Sequence, residues 1–378
     1  MSLLVAAIAA TTALLPPQEP AIQAAPAPAD AEAWFDKDAA ARCTKAADRG
    51  LQWLKRQQSA VGCWLGYVGH KIGDDYELLA QALPPDAQAA LGRGHLGVTA
   101  LCGMAFLAGG SLPDRGPHAD IVQRTIAYVQ GTAQENGYLS DAGTRMYSHA
   151  FATLFLAEVY GADATAKTKD ALERAVNLIV DCQNDLGGWR YNPFDSELDL
   201  SVTVCQLQAL RAARNIGIRV PTGTIDKALA YVRASRVPRG PYAGLYYYKI
   251  HGRGQFEKPA DYAINAAALT ALRSAGVHDD DLTDPVLTFL EAEYPRLQDW
   301  YGGHYFYWYG NYYAAQAFYQ SGGPRLRRWF ARLSADLIAS QEADGRWRNR
   351  TGPGDAFATA VACVLLQMPK QYLPIFQR

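Results

Sequence analysis

The chain has 378 residues, 49% of them hydrophobic and 19% charged, and its formal net charge is −1. Such a balance, with basic residues scattered along the chain, argues against a nucleic-acid surface. The one basic cluster, Arg325 to Arg328, reads as the solvated face of a helix, and the length allows one large domain or two small ones.

In chain order, residues 1–30 stand apart. Ser2 to Leu15 is rich in Ala, Leu and Val, and a Pro/Ala/Gln stretch follows from Pro16 to Asp30. The apolar run is too short for a transmembrane helix. It has the character of the apolar region of a secretory signal, with Ala24 or Ala25 as cleavage candidates, although no Lys or Arg precedes Lys37. The expectation is export to the periplasm or the exterior, a flexible Pro/Ala linker, and no stable membrane span after processing. Residues 31–378 form the folded domain.

From Ala39 onward two kinds of helix alternate. Amphipathic segments are expected over Ala39–Gln57, Ala119–Gln134, Lys167–Cys182, Thr224–Arg236, Leu282–Leu297 and Arg325–Ser340. Nearly all-apolar segments are expected to begin near Gly97, Ser148, Asp199, Asp261, Asn311 and Asp355. An amphipathic helix belongs on an outer layer and an all-apolar one inside. Their spacing of about fifty residues is that of a helical-hairpin repeat.

The pattern Gln-x-x-x-Gly-x-Trp falls three times at the junction of the two helix types: Gln58, Gly62 and Trp64; Gln183, Gly187 and Trp189; Gln341, Gly345 and Trp347. Decayed versions follow Gln134, Arg239 and Gln298. The Gly suits a tight turn, the Gln amide can tie loose backbone groups, and the Trp supplies an apolar face for packing. These are structural tasks, repeated because every repeat needs its own staple. Six hairpins whose inner helices are all apolar are expected to close into an all-α (α/α)6 toroid, with an open solenoid as the alternative. Among the cysteines, Cys102, Cys205 and Cys363 read as buried thiols in inner helices. Cys43, Cys63 and Cys182 are placed where they could pair after export.

The repeated motif resembles the QW motif of squalene and oxidosqualene cyclases and the related prenyltransferase repeats, over nearly everything from Ala39 to Arg378. The blocks Asp199 to Leu210, Tyr312 to Ala317 and Tyr372 to Arg378 resemble, more closely, an uncharacterised group of exported bacterial squalene-cyclase-like repeat proteins. The resemblance implies an acid held in an Asp-x-Asp-Asp-Thr segment at an inner-helix start. Here that segment reads Asp199-Leu200-Ser201-Val202-Thr203, and Ser and Val cannot support a proton donor. The zinc site of prenyltransferases is implied at Asp261-Tyr262-Ala263 and Asp355 to Thr359, but Ala263 and Ala358 replace the Cys and the His. Neither a metal nor a cofactor is expected.

In a toroid the inner-helix starts gather at one mouth. Candidate catalytic residues there are Asp199, Asp261, Asp355 and His149, although capping of a helix is the favoured reading of the three aspartates, since it explains all three positions at once. Candidate ligand-binding residues are Tyr147, Tyr246, Tyr262, His304, Tyr305, Tyr307, Trp308 and Tyr312, an aromatic wall suited to a hydrophobic or a glycan ligand. The leading functional expectation is an exported toroid that binds a ligand or partner at this mouth. The alternatives are a polysaccharide-active lyase or hydrolase and a divergent terpene cyclase.

Overall fold

A computed structural model of the chain describes residues 36–72, 75–78, 94–162, 164–251, 259 and 261–376. The signal-like segment and linker expected over residues 1–30 lie outside the described residues. The outer helices are α1 (Lys37–Gln57), α3 (Ala119–Gly131), α5 (Ala166–Asp181), α7 (Thr222–Ala234), α9 (Asp280–Tyr301) and α11 (Gly323–Ala339). They alternate with inner helices α2 (Leu96–Ala108), α4 (Met146–Ala162), α6 (Leu200–Asn215), α8 (Tyr262–Ser274), α10 (Tyr305–Ser321) and α12 (Asp355–Leu366).

The two layers differ in burial as the apolar pattern dictates. Every residue of α2 is buried, because an inner helix meets neighbours on both sides, the axis, and the outer layer. On α5 the buried residues are Thr168, Ala171, Leu172, Ala175, Val176, Leu178 and Ile179, a single stripe turned inward. Each inner helix packs on the next, α12 returns to α2, and α1 packs on α12. The ring is closed, and the fold is the α/α toroid rather than an open solenoid.

Each intact motif copy makes the same set of bonds. The indole N–H groups of Trp64, Trp189 and Trp347 donate to the carbonyls of Leu54, Ile179 and Leu337 at 2.8, 2.8 and 2.7 Å. These carbonyls belong to the last turn of the preceding outer helix, where backbone N–H donors run out; the Leu54 carbonyl also accepts the Gln58 N–H at 3.1 Å. The backbone N–H of each Trp donates to a threonine hydroxyl in the next inner helix: Thr99, Thr203 and Thr359, at 3.1, 3.2 and 3.0 Å. The Gln amide bridges the glycine carbonyl of its own turn and a carbonyl of the following outer helix. For Gln183 these are Gly187 and Thr224, at 3.0 and 2.9 Å. The glycine is demanded twice over. Gly187 has φ +93°, and a Cβ there would lie 2.2 Å from the Lys227 carbonyl oxygen.

Three features depart from the sequence reading. Helix α9 runs on to Tyr301, past the expected end at Leu297, and α10 begins at Tyr305 instead of near Asn311. His304 caps it, its Nδ1 accepting the Phe306 N–H at 3.1 Å. A short antiparallel hairpin, β1 (Gly69–Ile72) and β2 (Asp75–Leu78), follows the first motif copy, with Gly69 opposite Leu78. All six cysteines are buried free thiols, so the pairing considered for Cys43, Cys63 and Cys182 is absent. Among the described residues, no helix is long and apolar enough to cross a membrane.

Candidate functional site

The inner helices run parallel, and the first turns of all six line one cavity of about 190 Å³. His95, Gly97 and Val98 enter it from α2, Tyr147, Ser148 and Phe151 from α4, and Ser201 from α6. Asp261, Ala263 and Ile264 come from α8, Tyr305, Phe306 and Tyr309 from α10, and Phe357 from α12. Tyr191 and Tyr248 reach in from motif loops, and Val68, Gly69 and Tyr76 cover one side from the hairpin. The hairpin is held in place by the ring of Tyr76 lying 5.5 Å from that of Tyr305 and by the Tyr305 hydroxyl, which donates to the Asp75 carbonyl at 3.4 Å.

The wall is aromatic, yet it offers few free hydroxyls. Tyr147 donates to Ser201 Oγ, and Tyr309 donates to the Ser201 carbonyl at 3.3 Å. The hydroxyls of Tyr191 and Tyr248 are 3.0 Å apart, and Tyr248 donates on to Asp199 at 3.2 Å. Tyr76 donates to the Tyr67 carbonyl at 2.9 Å. Burial pushes the phenols of Tyr147 and Tyr309 well above their ordinary range, and that of Tyr76 up to about 12. The cavity therefore presents neutral ring faces. Among the described residues, its charged side chains are Arg145 and Asp261.

The candidate acids serve structural ends. Asp199 is fully buried and does not line the cavity. Its carboxylate forms an ion pair with Arg190, accepts the Ser201 hydroxyl at 2.6 Å, and caps α6 through the Val202 N–H at 2.9 Å. Asp355 accepts the Asn349 N–H at 2.9 Å and pairs with Arg346 and Arg348 outside the cavity. Asp261 caps α8 through the Ile264 N–H at 2.9 Å, and it alone of the three reaches the cavity.

His149 does not line the cavity. It is fully buried, its Nδ1 accepts the Leu139 N–H at 3.0 Å, and its Nε2 faces the Ala175 carbonyl at 3.2 Å. This is the staple position held by Thr99, Thr203 and Thr359 in the intact repeats. In the fourth repeat Asn265 holds it, accepting the Tyr246 N–H at 2.8 Å. Burial pushes the His149 imidazole down to about 4, so it stays neutral.

Of the aromatic candidates, Tyr147 and Tyr305 line the cavity and His304 caps the helix beside them. Tyr246, Tyr262, Tyr307, Trp308 and Tyr312 do not line it. Tyr246 fills the place of a motif Trp, fully buried. The early start of α10 turns Tyr305 and Tyr309 inward, four residues apart, and leaves Tyr307 and Trp308 on other faces. Trp308 donates to the Arg348 carbonyl at 3.3 Å, and Tyr312 packs edge-on against Phe151 at 5.6 Å. Tyr262 lies in a second groove of about 370 Å³ with Tyr242 and Trp300, which shares Asp261, Ala263 and Phe306 with the cavity lining. Arg145 and the hairpin residues went unnoticed in the sequence, since nothing in their spacing places them at the mouth. Among the described residues no group of three or more His, Cys, Asp or Glu could hold a metal.

No protein-family model matches the chain, and no curated protein matches it in sequence. Solved structures do match its fold. The GH76A α-1,6-mannanase of Salegentibacter sp. HEL1_6 aligns with a TM-score of 0.63 at 9% identity, over 87% of this chain and 99% of that one. A family 76 glycoside hydrolase (mannosidase) from Bacteroides thetaiotaomicron aligns at 0.62 and 10% identity, over 86% and 97%. The type II terpene cyclase MstE from Scytonema, in complex with geranylgeranyl dihydroxybenzoate, aligns at 0.58 and 12%, over 90% and 100%. At such identities the likeness extends to the α/α toroid and no further.

Proposed function

We propose that this toroid binds an apolar ligand of isoprenoid or polycyclic type in the cavity at the mouth of its inner helices. The observation that carries this is the state of the tyrosine hydroxyls. Those of Tyr147, Tyr191, Tyr248, Tyr305 and Tyr309 are spent on protein groups, so a ligand meets ring faces and the side chains of Phe151, Phe306 and Phe357. Sugar hydroxyls would find few partners there, whereas an apolar body loses nothing by leaving water. The neighbouring cyclase complex with a geranylgeranyl compound supports the same class. Export belongs to this proposal too, on the strength of Ser2 to Leu15.

A glycan-active reading has one observation in its favour: Trp300, 75% exposed, stands at the rim beside Tyr242. Against it, glycoside hydrolysis uses two carboxylates, and the inactive mannanase variants among the neighbours are altered at two adjacent aspartates. Among the described residues Asp261 is the one carboxylate of the cavity lining. Calorimetric titration with farnesol and with α-1,6-mannotriose separates the readings. Farnesol is expected to bind with a negative heat-capacity change and mannotriose to give no signal; the reverse result overturns the proposal.

A further inference from the structure

Two guanidinium groups flank the ring of Tyr191: Arg190 lies 4.2 Å and Arg145 5.2 Å from its centroid. Their circumstances differ. Arg190 is neutralised by Asp199. Arg145 has no carboxylate partner among the described residues; besides the ring, its contact is one 3.4 Å hydrogen bond to the Gly69 carbonyl. A guanidinium carries five N–H donors in a planar fork, so most of its donor capacity is unspent, and it lines the cavity.

Its place in the fold makes this more telling. Arg145 immediately precedes α4, and its carbonyl accepts the His149 N–H at 3.1 Å. It therefore stands at a helix start, the positive end, where a cation is unfavourable and an acidic or hydroxyl side chain is usual. The corresponding residues of the neighbouring repeats are His95, Asp199 and Asp261, each of which caps its helix. An arginine cannot cap. A positive charge at a positive helix end, beside an apolar wall, is stabilised by an anion brought in from outside.

Building on the proposed apolar-ligand reading, we infer that the ligand is an amphiphile with one anionic group, a carboxylate or a phosphate, which Arg145 receives. The apolar body lies against Phe151, Tyr309 and Phe357, and the anion lies under the hairpin beside Tyr191. A bidentate guanidinium–oxyanion contact in such surroundings supplies specificity as well as affinity.

The test compares three probes with one apolar body: farnesol, farnesoic acid and farnesyl monophosphate, titrated into the full chain. The wild type is expected to bind at least one of the two anions about tenfold or more tightly than farnesol. Arg145→Met is expected to erase that preference while leaving farnesol affinity within about twofold, and Arg145→Lys to keep part of it. Equal affinity for all three probes in the wild type overturns the inference and leaves the apolar-ligand reading intact. A preference that survives Arg145→Met also overturns it. So does a parallel loss of farnesol binding in that variant, which would make Arg145 a strut for the hairpin. Failure of every probe to bind the wild type overturns both readings.

Discussion

The side-chain amide of Gln341 donates to the carbonyl of Ala46 at 2.9 Å, across 295 positions of the chain. It also donates to Gly345 at 2.8 Å, which is the bond pair that Gln183 makes between adjacent hairpins. The seam where the last hairpin meets the first is thus fastened by the same device as the interior of the ring. Arg49 reinforces it by donating to the Glu342 and Ala343 carbonyls at 2.9 and 3.2 Å. Gln341→Ala leaves two carbonyls without this donor and is expected to cost about 1–3 kcal/mol. Urea denaturation checks this, and Gln183→Ala should give a similar loss, because seam and interior are equivalent.

The motif glycine can be tested against a glycine that has only its dihedral to defend. Gly187 and Gly217 share a positive φ, +93° and +87°, but a Cβ at Gly217 meets nothing within 4 Å. Gly217→Ala should therefore cost about 1 kcal/mol for backbone strain alone. Gly187→Ala adds a collision with the Lys227 carbonyl and should cost clearly more, on the order of 3 kcal/mol. Equal losses in thermal or urea denaturation would show that the close approach is not what requires glycine.

His149 gives the fold a dependence on acid. Its folded pKa is depressed to about 4 by burial, below the value of about 6.5 in an unfolded chain. As pH falls below 6.5 the unfolded chain takes up the proton first, so stability is lost between about 6.5 and 4. His149→Asn places there the residue type that Asn265 supplies in the fourth repeat. It should fold, and its urea midpoint should fall less steeply over that window than the wild type's. His95, pushed down to about 4 as well, retains its own share of the slope.

Glu158 acts in the opposite direction. It lies two turns beyond Phe151 on α4, 7% exposed, and among the described residues neither carboxylate oxygen has a partner. Burial pushes its pKa up to about 8, so the native state keeps a proton that the unfolded chain releases above about 4.5. Stability therefore falls as pH rises from about 4.5 to 8. Glu158→Gln should be more stable than the wild type at pH 8, by on the order of 4 kcal/mol, and little different at pH 4.5.

The ring was legible because its staples are encoded by rare, large or conformationally unusual residues. Gln, Gly and Trp at fixed spacing can be seen by eye, and each stands for a bond that the structure contains. The decayed copies were recognisable by their Gly and aromatic residues; in two of them Leu139 and Tyr246 replace the Trp, while His149 and Asn265 replace the Thr. The bond survives although the letters change. This is also why the Asp199 segment matched a cyclase pattern at its first and last positions: Asp199 caps the helix, and Thr203 is the staple.

The mouth was read less well, for a reason of helix phase. With α10 expected to start near Asn311, Tyr305, Tyr307 and Trp308 all preceded the helix and could be assigned to the wall together. A helix beginning at Tyr305 distributes the same residues around its circumference, and Tyr305 and Tyr309 share the inward face. Arg145 and the hairpin reach the site through long-range packing, which local spacing does not register.

Native mass spectrometry of the protein purified from its own host tests the central claim most directly. The account predicts a co-purifying small molecule that partitions into apolar solvent and is absent from Ala263→Phe, where a ring would occupy the cavity beside Ile264 while circular dichroism still shows a helical fold. A bound oligosaccharide, or an apolar molecule retained in full by Ala263→Phe, would contradict it.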